Sequence, residues 1–106
     1  MEPIFHITAR HQWIAAQRAG EYAADSLRVE GFIHCSREHQ YRWVAATRFR
    51  GRDDLVLLHI DPARIQAEIR YENLEGGTEL FPHVYGPIPA DAVVDVTPLR
   101  PAGETA

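Results

Sequence analysis

A chain of 106 residues makes one domain, with no room for the core of a second domain. Its 45% hydrophobic and 25% charged residues are those of an ordinary globular domain, and a formal charge of -4 at pH 7 argues against general electrostatic attraction to nucleic acid or to an anionic membrane. All eleven basic residues are arginine, which excludes lysine Schiff-base chemistry, a lysine general base and a lysine-bearing phosphate loop. Arginine suits bidentate contact with phosphate or carboxylate. The single Cys35 excludes an intrachain disulfide and a multi-cysteine zinc site. Together with the lack of a signal-peptide pattern and of an apolar run long enough to span a bilayer, it sets the expectation of a cytoplasmic protein.

Residues 4–8 read as a first strand, and Thr8 as the cap of a helix over 9–19 that Gly20 ends. Trp13, Ile14 and Gln17 fall near one stripe of that helix. Residues 21–29 have weak periodicity and read as a loop placed to border a cleft. Residues 30–36 follow as a short buried strand. Alternation puts Phe32, His34 and Ser36 on one of its faces and Ile33 and Cys35 on the other. Ser36 is expected to cap a second helix over about 37–50, with Tyr41, Val44, Ala45 and Phe49 at helical spacing. The apolar run 55–60 predicts a central strand buried on both faces. Asp61-Pro62 opens a short helical turn, residues 68–72 form a strand, and Gly76-Gly77 marks a turn. Pro82 lacks a backbone donor, so residues 81–87 are expected at a sheet edge or in an ordered loop. A turn at 89–92 leads to a last strand at 93–97, and residues 100–106 read as a flexible tail. Two helices interleaved with strands, then a run of strands, define a single α+β domain over residues 1–99.

Six histidines stand in the chain, and three of them share a pattern. His6-Ile7-Thr8, His34-Cys35-Ser36 and His83-Val84-Tyr85 each place a hydroxyl two residues after an imidazole, on the same face of an extended chain. The chain reads as a scaffold that brings these three pairs to one concave surface. His11 and His39 read as surface residues, and His59 as a core histidine with satisfied hydrogen bonds. Imidazoles near neutral pH serve as hydrogen-bond donors to ribose or phosphate, or as acid and base. Three histidines also fit a catalytic zinc site. No pair has the i, i+4 spacing of a metalloprotease helix, however, and no Cys or Asp nearby completes a ligand set, so no metal is expected. Cys35 is expected to pack in the core. Glu72, at a strand end after Tyr71, is placed to orient a hydroxyl or stabilise positive charge, and one of Arg48, Arg50 and Arg52 could reach an anion. Glu30 is in reach of an arginine partner.

The runs at 5–8, 20–22, 30–36, 57–62 and 81–87 resemble the bacterial family called domain of unknown function nine hundred and fifty-two, over nearly the whole chain to about Leu99. That resemblance implies a distant relation to the ADP-ribosyltransferase fold, a small, split and curved, mostly antiparallel sheet with two main helices that holds NAD in its cleft. In local pattern the chain looks like the RNA 2′-phosphotransferase branch. The His-Gly-Thr and Val-His-Leu-Ser motifs of that branch match His6-Ile7-Thr8 and Ile33-His34-Cys35-Ser36, with Ile7 in place of the glycine, and its arginine-glycine element is similar to 48–51. The resemblance implies NAD as cofactor, His6, Thr8 and Ser36 as its binding residues with Tyr22 or Tyr85 stacked on a ring and Arg48 on an anion, and His34, His83 and Glu72 as the catalytic group. The expected ligand is a small nucleotide-like molecule, with no general binding of nucleic acid and no membrane. Two alternatives stand beside it: a non-catalytic nucleotide or metabolite binding module, and a metal-dependent hydrolase using the three histidines.

Overall fold

The computed structural model describes residues 2–73 and 76–100. In chain order its elements are β1 (Ile4–Ala9), α1 (Arg10–Ala19), β2 (Glu21–Tyr22), α2 (Asp25–Glu30), β3 (Ile33–His34), α3 (Tyr41–Arg48), β4 (Leu55–Ile60), β5 (Ile69–Glu72), β6 (Phe81–Val84), β7 (Ile88–Pro89) and β8 (Val93–Pro98), with short 3-10 turns at Pro62–Arg64 and Ala90–Ala92. The strands pair antiparallel throughout, in sheets ordered β1-β4-β8, β2-β7 and β3-β6-β5. The fold is mixed α+β with three helices among the described residues, one more than the sequence predicts.

The continuous apolar run of β4 places it at the centre of its sheet, between β1 and β8. Alternation splits its side chains between two cores. Val56, Leu58 and Ile60 join Ile4, Trp13, Ala16, Ile33, Cys35, Val84 and Ile88, while Leu55 and Leu57 join Phe5, Ile7 and Ala45 beneath α3. Leu55, Leu57, Leu58 and Ile60 are at most 2% exposed, and burying such a side chain is worth roughly 1.5–3 kcal/mol. α3 covers the second core with Tyr41, Val44, Ala45 and Phe49, the residues at helical spacing.

Four local expectations change. α1 starts at Arg10, and the Thr8 hydroxyl donates to Gln12 Oε1 (2.9 Å) instead of capping a backbone N–H. Its inward stripe is Trp13 and Ala16, with Gln17 and Ile14 exposed, the latter 42%. Gly20 ends the helix as expected, at φ 86 with its N–H on the Ala16 carbonyl. Residues 21–29 are not a loop: they hold β2 and most of α2, whose six residues are too few to show a helical period. α3 begins only at Tyr41, because Ser36 is taken by another partner. Its N–H and C=O pair with the Phe5 backbone at 2.7 and 2.8 Å, while the Gln40 side chain accepts from the Arg37 N–H (2.8 Å).

Pro82 is the fourth. It lies in the middle strand of β3-β6-β5, neither at an edge nor in a loop. Its carbonyl accepts from the Cys35 N–H at 3.0 Å. In an antiparallel pair the N–H and C=O of one residue face the same neighbour, so the missing donor faces Cys35, one residue past the end of β3. The ladder stops where proline would have broken it. Of the expected tail, 100–106, residues 101–106 lie outside the described residues; Leu99, the last residue of the expected domain, packs against the second core and donates its N–H to the Leu55 carbonyl (3.2 Å).

Gly86 marks the tightest approach of the chain after β6 to the segment before β5. A Cβ there would stand 2.6 Å from the Ala67 Cβ. Gly86→Ala is therefore expected to destabilise by about 1–3 kcal/mol, the usual cost of overpacking, with Ala67→Gly in the same chain recovering much of the loss. Urea denaturation of the two single variants and the double variant measures the coupling; additive losses would contradict the contact.

Candidate functional site

β1 sends Ile4, His6 and Thr8 toward the larger core, so two polar side chains enter an apolar interior and must find partners there. They find them on β2 and β3. A carbonyl can only accept, so His6 Nδ1 carries a proton and donates it to the His34 carbonyl at 2.5 Å. The Tyr22 hydroxyl sits 2.7 Å from His6 Nε2 and 3.0 Å from Thr8 Oγ1, and its single proton serves either. Burial, the largest influence, lowers the His6 pKa to about 4 against the opposing pull of the His34 carbonyl, so the ring is neutral at pH 7. Burial likewise pushes the Tyr22 phenol up to about 12. Cys35 packs in the same core, its thiol pushed up by burial, and no nucleophile is made of it.

The outer face of β3-β6-β5 is a second, separate cluster. His34 pairs with His83 across β3 and β6, and His83 pairs with Arg70 across β6 and β5, so three polar residues stand in one row. His83 Nδ1 donates to Glu72 Oε1 at 2.9 Å, and the Tyr85 hydroxyl donates to the same oxygen at 2.6 Å. These two bonds, the Tyr85 one first, hold the Glu72 carboxyl below its usual range, and the bond to Glu72 raises the Tyr85 phenol. The Arg70 guanidinium lies over the Tyr85 ring at 4.6 Å from its centroid and reaches Glu68 at 2.9 Å and Glu72 at 4.0 Å. Phe32 stacks on His83 with centroids 4.3 Å apart and also touches His34 and Tyr85. The His34 and His83 rings meet edge to face at 5.5 Å. One turn back, on α2, Glu30 bonds His34 Nε2 at 2.6 Å.

The predicted residues thus fall in two groups. His34, His83, Glu72 and Tyr85 come together on the outer face, and His6, Thr8 and Tyr22 come together inside the core. The expected convergence of three histidines is corrected: strand alternation turns His6 inward, and only the backbone of His34 links it to the outer pair. Ser36 is buried in its bridge to Phe5. Arg48 lies exposed in the last turn of α3, across the β1-β4-β8 sheet from His6. Among the described residues no three His, Cys, Asp or Glu side chains are grouped to hold a metal ion. His59 is bonded, to Thr97 Oγ1 at 3.0 Å. Sequence reasoning missed Arg70 and gave Glu30 the wrong partner. Both had a signal: Glu30 stands four residues before His34, one helical turn, and Arg70 alternates with Glu72 on one strand face.

The neutral, buried His6 has a consequence for acid stability. Its unfolded pKa is about 6.5 and its folded value about 4, so between these pH values the unfolded chain binds more protons. The stabilisation is full above about 6.5 and is lost as pH falls toward 4, by roughly 3 kcal/mol in all. Denaturation midpoints from pH 7 to 4, beside NMR titration of the His6 ring, test it; a native His6 that titrates near 6.5 would contradict the sealed network.

No curated protein matches the chain at a significant level. Solved structures do. A crystal structure of CC0527 from Caulobacter crescentus is 32% identical with a TM-score of 0.83, covering 92% of this chain and 86% of that one. The solution NMR structure of CC0527 gives 33% identity and a TM-score of 0.79 over 93% and 85%. The family described as protein of unknown function (DUF952) matches residues 7–96. With nine-tenths of its length aligned to one fold and the family profile running from β1 into β8, the chain belongs to the DUF952 family.

Proposed function

We propose that the outer face of β3-β6-β5 is the ligand site of a nucleotide-directed domain, and that the domain works as an NAD- or ADP-ribose-using transferase with an ADP-ribosyltransferase-like fold. The observation that carries this reading is Glu72, a carboxylate kept ionised by donors from His83 and Tyr85, with the His83 ring in turn 5.5 Å from the exposed imidazole of His34. Loss of nicotinamide from NAD leaves a ribose carbon with oxocarbenium character. A fixed negative charge and preorganised dipoles are what such a transition state needs. His34 and Arg70 would meet the ribose hydroxyls or the pyrophosphate, and the ring of Tyr85 would pack against a base or the nicotinamide. The buried group of His6, Thr8 and Tyr22 supports the site from beneath, since it fixes the backbone of His34.

One observation favours a second reading. Glu72 Oε1 already accepts two internal donors, an arrangement equally suited to a rigid, non-catalytic nucleotide-binding module. Release of nicotinamide separates the two.

Titration of the protein with NAD, ADP-ribose and AMP, followed by NMR, is expected to shift the His34 and His83 resonances. His34→Ala should weaken that binding about ten- to a hundred-fold, the worth of one hydrogen bond to a charged partner. Because His34 is solvent-exposed, its stability should change by no more than ~1 kcal/mol. Glu72→Gln should reduce nicotinamide release by two to three orders of magnitude, about the effect of removing one electrostatic stabiliser. A His34→Ala protein that unfolds, or binds unchanged, would refute the assignment of this face.

A further inference from the structure

We infer that His34 and His83 form a carboxylate-oriented acid–base pair that hydrolyses a small cyclic phosphodiester, such as a nucleoside 2′,3′-cyclic phosphate. The inference rests on the reading of this face as a nucleotide site, but not on NAD as the nucleotide.

Each ring is held through one nitrogen and leaves the other to work. His34 gives Nε2 to Glu30 at 2.6 Å, and His83 gives Nδ1 to Glu72 at 2.9 Å. A carboxylate on one nitrogen fixes both the tautomer and the aim of the other. The remaining nitrogen of His83 has no protein partner among the described residues, in a side chain that is 5% exposed. The rings stand edge to face at 5.5 Å. Two imidazoles this close are within reach of a single phosphate, whose attacking and leaving oxygens lie roughly in line. Arg70, next in the same row, supplies a guanidinium for the non-bridging oxygens.

Other chemistries fit less well. Cys35 faces the opposite side and is 3% exposed, Ser36 is held in its backbone bridge, and the Tyr85 hydroxyl is committed to Glu72, so among the described residues the pair has no ready protein nucleophile. Water is then the nucleophile. The neutral imidazole takes a proton from water as its oxygen bonds to phosphorus. The bond from phosphorus to the 2′ or 3′ oxygen breaks, and the protonated imidazole gives its proton to that oxygen. The products are a phosphate monoester and a free hydroxyl, one water is consumed, and no oxidant or second substrate enters. The net charge of -4 fits a mononucleotide better than a polymer.

The test is 31P NMR of cytidine 2′,3′-cyclic phosphate with the full chain in EDTA, from pH 5 to 9. The expected result is turnover with a bell-shaped pH profile, and a fall of about 10²–10⁴-fold in His34→Ala, the usual worth of one general acid or base. Glu30→Gln, which alters positioning alone, should lower kcat while leaving KM nearly unchanged, a split that loss of fold would not produce. His83→Gln should match His34→Ala wherever circular dichroism shows it folded; the exposed His34 variant carries the test if it is not. Turnover that survives His34→Ala, or that EDTA abolishes, would overturn the inference. No turnover, while the nucleotide still shifts the His34 and His83 resonances, overturns the acid–base pair and leaves the nucleotide site standing. Neither turnover nor shifts would remove both.

Discussion

Two sheets of this protein are fastened along three residues, 34 to 36, and the rest of the architecture depends on that seam. Phe5 and Ser36 exchange both backbone hydrogen bonds, at 2.8 and 2.7 Å, and His6 Nδ1 adds a bond to the His34 carbonyl. The seam joins β1, whose six residues are all buried, to β3, in the sheet that turns one face outward. Without it, β3 would be a two-residue strand held only by β6 and a short helix. His6 is the side chain of the seam. It is buried because it must reach a carbonyl inside the core, and it stays neutral because a charge there would lack compensation. Tyr22 and Thr8 complete its bonding, so a polar chain runs through an apolar core without an orphaned group.

The outward face is arranged differently, and the difference is one of screening. The Glu30–His34 pair is 46% exposed on both sides, and an ion pair in that setting adds little to stability. What the contact does is orient a ring. Glu72 and His83 are 22% and 6% exposed, so their contact is better shielded and holds its geometry more firmly. Glu72 also draws on Tyr85 and lies within 4.0 Å of Arg70. One carboxylate thus fixes one imidazole, one phenol and, more loosely, one guanidinium. Phe32 closes the back of the cluster by stacking on His83. The face is buried where it meets the core and exposed to water at His34 and Arg70.

Much of the fold was legible because its signals are local. The continuous run of β4 announced a central strand, Asp61-Pro62 a capped turn, and Gly20 a helix end. What escaped depends on tertiary partners. Ser36 looked like a helix cap and became a strand partner of Phe5, because the backbone bond to β1 satisfies more than a cap would. α2 escaped since six residues carry no measurable period. Pro82 points in sequence to a sheet edge or an ordered loop, whereas only the ladder on one side of one residue has to end. In the candidate site, His34, His83 and Glu72 are visible from alternation and position; alternation also puts Arg70 on the face of Glu72, but its place beside His83 depends on the β5–β6 register.

The three His-x-hydroxyl motifs show why a repeated pattern does not repeat a role. In β1 the imidazole and the hydroxyl share a face, as alternation demands, but that face is closed over by α1, β2 and β3, and so both groups become structural. In β3 the imidazole emerges into solvent while its serine is absorbed by the seam. In β6 the imidazole is sunk beside Phe32, and its tyrosine lies at the rim, where both bind one carboxylate. The period of two determines only which groups travel together. Whether they meet a ligand or a core is set by how many faces of the sheet are covered. That number belongs to the packing of helices and neighbouring strands: α1 and α3 enclose β1, and only one side of β3-β6-β5 is enclosed. The exposed side chains of His34 and Arg70 therefore stand on the outward face of β3-β6-β5, which the packing leaves open to water.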